Sequence, residues 1–297
     1  MAKARAINTR RKSVRNIRKI TRTMQLIATS KFQQSLNRAT TGRPYTEKIT
    51  ELVAKLSSAV GGQIDHPLLR VNEGAGRAAL FVITSNRGLC GGYNASLLRL
   101  ANAQWRRNRD AKRETDLHVV GKKGISYFKF LGRTIVRPYT GLGDAPRFAD
   151  IDPIAEGFIT DYSAGRLDAI DVVYMKFVST GRQEPTCTPL LPFREEPPPG
   201  ESAAAAQPEP VPVPYDYSPA PAELMAELLP VTVKVRLFQY FMDAIVSENV
   251  ARMVAMKAAT DAADDMIKNL SQQFNRARQT QITMELLDIV GGAEALK

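Results

Sequence analysis

Residues 231–290 read VTVKVRLFQYFMDAIVSENVARMVAMKAATDAADDMIKNLSQQFNRARQTQITMELLDIV, sixty consecutive positions without a glycine or a proline. Nothing in the run favours a turn, and at about 1.5 Å per residue an unbroken helix through it would rise roughly 90 Å. That exceeds the width of a compact domain. Phe238, Phe241 or Met242 and Ile245 fill one stripe of this helix. Ala251, Ala255, Ala258, Ala259, Ala262 and Ala263 continue it with small groups, and Met266, Leu270, Phe274 and Ala277 finish it. The spacing is heptad-like, and alanine at a seam lets a second helix axis come close.

The other end of the chain supplies a partner. Residues 2–41 also lack Gly and Pro, and Ile17, Ile20, Met24 and Ile27 recur at helical spacing, continued by Phe32 and Leu36. Gly42 and Pro44 predict a kink or interruption, after which Ile49, Leu52, Leu56 and Val60 resume the period until Gly61-Gly62. The expectation is an antiparallel coiled coil of the two terminal helices. The alternative is a helical layer folded flat over a sheet.

A sheet is expected because Ala78 to Thr84 (AALFVIT) is a short, nearly continuous apolar run, suited to a strand buried on both faces. Further strands are expected at 117–120, 134–137 and 172–178, between helix-like stretches near 95–108, 122–131 and 150–165. Such alternation predicts a Rossmann-like α/β domain with a mainly parallel sheet, inserted between the helices. Residues 195–221 hold nine of the eighteen prolines and an alanine run, a segment unsuited to helix or ladder strand. Ser218-Pro219 offers a helix start, and Pro230 a break or bend, so that the last helix begins effectively near 231. The expected division is a coiled-coil helix at 1–61, the α/β domain at 75–194, a Pro-rich loop at 195–218 and a second coiled-coil helix at 219–297.

The net charge of +11 is local. Twelve Lys or Arg lie within residues 1–46, before the first acid, Glu47, and the remainder of the chain is close to neutral. A basic helical arm can attract nucleic acid, an anionic membrane or an acidic protein. Against nucleic acid, the arm has one aromatic, Phe32, before Tyr45, which provides poorly for base stacking. No window has the length and hydropathy of a membrane-spanning helix, so membrane contact is expected only through partners.

Chemistry-bearing clusters are scarce. Cys90 and Cys187 lie far apart, as do His66 and His118, and none has a second ligand at metal or redox spacing. Ser85 to Asn94 (SNRGLCGGYN) follows a strand and is rich in glycine, but lacks both the Lys-Ser/Thr of a P-loop and G-x-G-x-x-G spacing. Its glycines are read as serving a tight turn, Cys90 as a small apolar residue and His118 as a satisfied strand residue. Neither a catalytic group, a metal nor a cofactor is expected.

Four blocks then carry a resemblance. SNRGLCGGYN, with its Arg-Gly-Leu-Cys-Gly core, ARMVAMKAATD at 251–261, the tail 274–296 with Ile282, Thr283, Glu285, Asp288, Gly292 and Ala293, and the opening Ser13, Val14, Asn16, Ile17, Lys19, Ile20, Thr21 and Met24 are similar to the gamma subunits of F-type ATP synthases, in the same order. The resemblance implies a non-catalytic central-stalk rotor, coupling ion-driven rotation of a membrane ring to cycling of catalytic beta subunits. It implies one copy per complex, with alpha, beta and epsilon subunits and the c-subunit ring as partners and no nucleic acid. It further implies contacts of Arg10, Arg87, Arg278 and Gln279 with acidic loops of the beta subunits, puts Met24 in the same subunit-interface zone, and implies ring contacts by Tyr215 and Tyr217. From its place on the seam, Met24 reads first as a packing methionine. The basic, acid-free start has the composition of a mitochondrial leader, but the resemblance begins within the first ten residues, so the expectation is a bacterial protein, peripheral on the cytoplasmic side of the inner membrane. The close cysteine pair of the light-regulated plastid form is absent from the sequence.

Overall fold

A computed structural model describes residues 2–59, 66–72, 74–143, 145–194 and 220–294. In chain order the elements are α1 (Ala2–Ala59), β1 (Arg77–Ile83), α2 (Tyr93–Asp110), β2 (Glu114–Val120), α3 (Lys122–Phe130), β3 (Arg137–Tyr139), α4 (Phe148–Ser163), β4 (Ala169–Ser179), β5 (Arg182–Leu191) and α5 (Pro221–Glu294). They fall into two compact units. Met1–Lys31, Leu89–Gly91 and Asn249–Lys297 form a helix-pair unit, and Phe32–Gly88 with Gly92–Glu248 form a sheet unit. The terminal helices contribute to both.

In the sheet unit the strand order is β3-β2-β1-β4-β5. β1 pairs parallel with β2 and β4, β2 pairs parallel with β3, and only the β4–β5 edge is antiparallel. The AALFVIT run becomes the central strand, its residues from Ala78 to Ile83 no more than 4% exposed. Alternation sorts them by face. Ala79, Phe81 and Ile83 join a core with Ile151, Phe158 and Tyr162 of α4 and Leu229, Val233, Leu237 and Phe241 of α5, while α2 and α3 bring Leu97, Ala101 and Phe128 to buried positions. Phe81 meets Phe158 edge-on at 5.4 Å and Phe241 at 5.8 Å, and Tyr174 stacks on Tyr240 at 4.4 Å.

Of the kink or interruption expected at Pro44 and the break or bend expected at Pro230, the interruption and the break do not occur. Pro44 lies inside α1 and Pro230 inside α5, and neither ends its helix. An interior proline costs about 3 kcal/mol. Around Pro230, however, Met225, Leu229, Val233 and Leu237 repeat every fourth residue and are at most 1% exposed. Each such side chain contributes about 1.5–3 kcal/mol on burial, so together they outweigh the missing bond. The helix therefore starts ten residues before 231, at Pro221. Ser218 and Pro219 lie outside the described residues.

The fourth expected strand runs from Ala169 to Ser179, longer than 172–178, and β3 is displaced to Arg137–Tyr139. β5 was not expected, because Pro185 and Pro189 interrupt its pattern. Both are tolerated because β5 is an edge strand, with ladder bonds on one side alone. The inner parts of α1 and α5 do pack on the sheet face: Ala39, Val53 and Leu56 share the core with Leu229 and Phe241. The flat helical layer and the helix pair thus coexist, in different stretches of the same helices.

Candidate functional site

In the helix-pair unit the two chain ends run antiparallel. Thr21 meets Thr260, with their hydroxyl oxygens 2.8 Å apart. Arg18 bonds Asp264 at 2.9 Å, and the Arg11 guanidinium lies 4.8 Å from the centre of the Phe274 ring. As numbers fall on α1 they rise on α5. Val14, Ala263 and Leu270 form a small buried cluster, flanked by Ile7 and Ile267.

The α5 seam is Met256, Thr260, Ala263, Ile267, Leu270, Phe274 and Ala277, all buried or half-buried and separated alternately by four and three residues. On α1 the buried positions Val14, Thr21 and Ala28 are seven apart. This is the 3.5-residue period of a left-handed coiled coil. It corrects the register read from hydropathy: Ile17, Ile20 and Ile27 are 53%, 59% and 52% exposed, Met266 is 44% exposed, and Ala258 and Ala262 also face outward. Thr21, Ala28, Thr260 and Ala263 occupy the seam beside larger apolar groups such as Met256 and Leu270, and an isoleucine stripe is left on the outside. Beyond Gln281 every described α5 side chain is exposed, including Ile282, Met284, Leu286, Leu287, Ile289 and Val290.

Arg10, Arg278 and Gln279 are exposed, and Met24 is half-buried beside the seam. Arg10 adjoins Arg11, which stacks on Phe274, one helical turn before Arg278. The structure thus brings Arg10, Arg278 and Gln279 to one stretch of the pair. Arg87 is an exposed residue of the sheet unit, and its carbonyl accepts a bond from Ser85 Oγ at 2.6 Å. Tyr215 and Tyr217 lie outside the described residues. Hydropathy did not single out the outward isoleucines or the apolar tail as surfaces, although the Ile spacing was visible and was assigned to the seam.

The glycine-rich turn sits where strand order reverses, between β1 and β4, the place where doubly wound sheets bind ligands. Here protein groups fill it. At the start of α3 the N–H of Lys122 donates to Asn86 Oδ1 at 3.2 Å, that of Lys123 to the Ser85 carbonyl at 3.2 Å, and that of Gly124 to Thr84 Oγ1 at 2.9 Å. Asn94 Oδ1 accepts from the Ser85 N–H at 3.1 Å. The N–H groups at the start of α3, of the kind that can hold an anion, are thus spent on Thr84, Ser85 and Asn86. At its tip, a Cβ on Gly91 would stand 3.7 Å from Ala255 Cβ, so the turn meets α5 through its smallest residues.

Among the described residues no three of His, Cys, Asp and Glu gather as metal ligands, and no helix is long and apolar enough to cross a membrane. Burial lowers the pKa of His118, whose ring packs between Phe158 and Tyr139. Cys90 is buried, and burial pushes the Cys187 thiol up to about 12.

The class is thus a mixed five-stranded α/β sheet in one chain with an antiparallel pair of terminal helices. The family model described as ATP synthase matches residues 3–296. The ATP synthase gamma chain of Rhodopirellula baltica is 44% identical over the full length of both chains, and that of Frankia casuarinae is 40% identical over 96% of this chain and 95% of its own. The fold is shared with a chain of the Euglena gracilis mitochondrial ATP synthase (TM-score 0.65, 15% identity, 99% and 95% coverage). It is also shared with one of the Tetrahymena thermophila central stalk and c-ring structure (TM-score 0.58, 19% identity, 81% and 99% coverage). The chain belongs to the ATP synthase gamma chain family. Family membership replaces the nucleic-acid alternative raised by the basic arm, two of whose cations, Arg11 and Arg18, are engaged with Phe274 and Asp264.

Proposed function

We propose that this chain is the central rotor of a proton-translocating ATP synthase, and that its helix pair drives catalytic beta subunits through successive conformations while taking no part in the chemistry. A surface that differs around its circumference cannot contact three like subunits alike. Each contact set then favours a different state, and differential binding shifts each site's population. The carrying observation is the inverted seam: Thr21, Ala28, Thr260 and Ala263 are enclosed, while Ile17, Ile20 and Ile27 face outward.

Arg10, Arg87, Arg278 and Gln279 are proposed to bond acidic loops of the beta subunits, where a guanidinium makes directional, charge-assisted bonds. The exposed tail from Ile282 to Val290 is proposed to be covered by the surrounding alpha and beta subunits, since an apolar patch of that extent is unfavourable in water. The epsilon subunit and the c-subunit ring are the proposed partners of the sheet unit, in a complex lying on the cytoplasmic face of a bacterial inner membrane. Co-expression with alpha and beta subunits tests the reading: one copy of this chain per assembly is expected, and recovery as a free monomer beside an assembled alpha-beta hexamer contradicts it.

A further inference from the structure

On the face of the sheet unit formed by α2 and α3, the C-terminal ends of the two helices present arginines around the sole tryptophan. The Arg133 guanidinium lies over the Trp105 ring at 4.0 Å, and that of Arg109 at 5.6 Å. Arg133 Nη1 is buried and has no hydrogen-bond acceptor. Such a donor is costly to leave unmet, and more so on a cation. Arg106, Arg109 and Lys129 stand exposed close by in sequence, and Phe130 is 88% exposed, an unusual position for a phenylalanine. Leu131 beside it is 43% exposed.

The backbone holds this arrangement in place. At the end of α3 the N–H of Gly132 donates to the Lys129 carbonyl and that of Arg133 to the Phe128 carbonyl, both at 3.0 Å, with Gly132 at φ 67°. These are the paired bonds of a Schellman cap. Arg133 therefore leaves the helix in one direction, and its guanidinium rests against the indole. Desolvation, with repulsion from Arg106 and Arg109, lowers the Arg133 pKa, so an incoming anion would relieve an existing strain of charge.

We propose that this corner is a binding site for an acidic segment of a partner protein, a carboxylate accepting from Arg133 and Arg109 on the Trp105 platform and a neighbouring aliphatic side chain covering Phe130. A planar guanidinium suits the two oxygens of a carboxylate. Asp110, 70% exposed and paired with Arg109 at 3.5 Å in a weak surface contact that an incoming carboxylate can displace, would be repelled by the uniform negative field of a lipid surface but is acceptable at the rim of a protein contact.

Because Trp105 is the only tryptophan, its emission in the purified full chain reports the site directly. The probe is a synthetic peptide of alternating Glu and Leu, with alternating Gln and Leu as the uncharged control, and phosphatidylglycerol vesicles and inorganic phosphate as separate arms. Saturable, salt-sensitive change with the Glu peptide alone is expected, weakened about tenfold by Arg109→Gln, the loss of one charge-assisted bond. Phe130→Ser, which spares the stack, is expected to weaken it severalfold. An equal response to the control peptide, to phosphate or to vesicles, or unchanged affinity in both variants, overturns the proposal.

Discussion

Across the helix pair, the Thr21 hydroxyl accepts from Thr260 at 2.8 Å while donating to the Arg18 carbonyl at 3.1 Å. Both threonines are buried. A polar pair enclosed in a thin seam fixes register where small apolar groups would slide. Thr260→Val strands part of Thr21's bonding capacity and is expected to cost about 1 kcal/mol. Adding Thr21→Val is expected to cost less than a second such step, because neither partner is then left alone. A double-mutant cycle by urea unfolding measures the coupling.

A carboxylate of α5 gives the sheet unit a pH dependence. Burial raises the Asp243 pKa to about 6, against bonding from Gln239 and the nearby charges of Arg43 and Lys176. The folded state thus holds the proton more tightly than the unfolded chain, where the value is near the ordinary 3.8. Stability from this residue is full below about 3.8 and is lost as pH rises through about 6, a difference of up to about 3 kcal/mol. Asp243→Asn is expected to flatten that part of the profile and to stabilise the protein at neutral pH. Urea midpoints between pH 4 and pH 7 check this.

Gly121 cannot be replaced. Its φ is 92°, and at this junction of β2 and α3 a Cβ would lie 2.2 Å from the carbonyl oxygen of Thr84, just past the end of β1. Gly121→Ala is expected to destabilise by about 2–4 kcal/mol, from combined overpacking and backbone strain. Thermal melting reads the loss.

Lys112 predicts the opposite sign. It follows α2 with φ 57°, in the position of a helix cap where glycine is favoured, and its N–H donates to the Arg109 carbonyl at 2.9 Å. Lys112→Gly is expected to raise stability by about 0.5–1 kcal/mol, since the left-handed conformation costs a side-chain residue roughly 1–2 kcal/mol and glycine's larger unfolded-state entropy returns part of that.

What could be read from the residues depended on the amplitude of their pattern. The apolar run at β1 and the uninterrupted stretch after Pro230 were legible because length and composition leave few alternatives. On α5 the seam was partly legible, through Ala263, Leu270, Phe274 and Ala277; on α1 it was not, because Thr21 and Ala28 carry little hydropathy, whereas Ile17, Ile20 and Ile27 carry much and face outward. A strong apolar signal was read as a buried helix contact when those residues are exposed in this chain. Pro230 misled for a related reason: a local penalty is visible in sequence, but the long-range burial of Leu229 and Val233 that offsets it is not. Arg10, Arg278 and Gln279 came from family resemblance, since an exposed arginine on a helix has no signature of its own.

The most direct measurement is rotation. Cys90 is buried and the Cys187 thiol has its pKa pushed up to about 12, so a cysteine introduced at exposed Thr180, in the turn between β4 and β5, gives a selective attachment point. With alpha and beta subunits immobilised and ATP supplied, a probe at that cysteine is expected to turn stepwise in one direction, with torque reduced when Arg278→Ala and Gln279→Ala are combined. A probe that stays fixed while the immobilised assembly hydrolyses ATP would contradict the account.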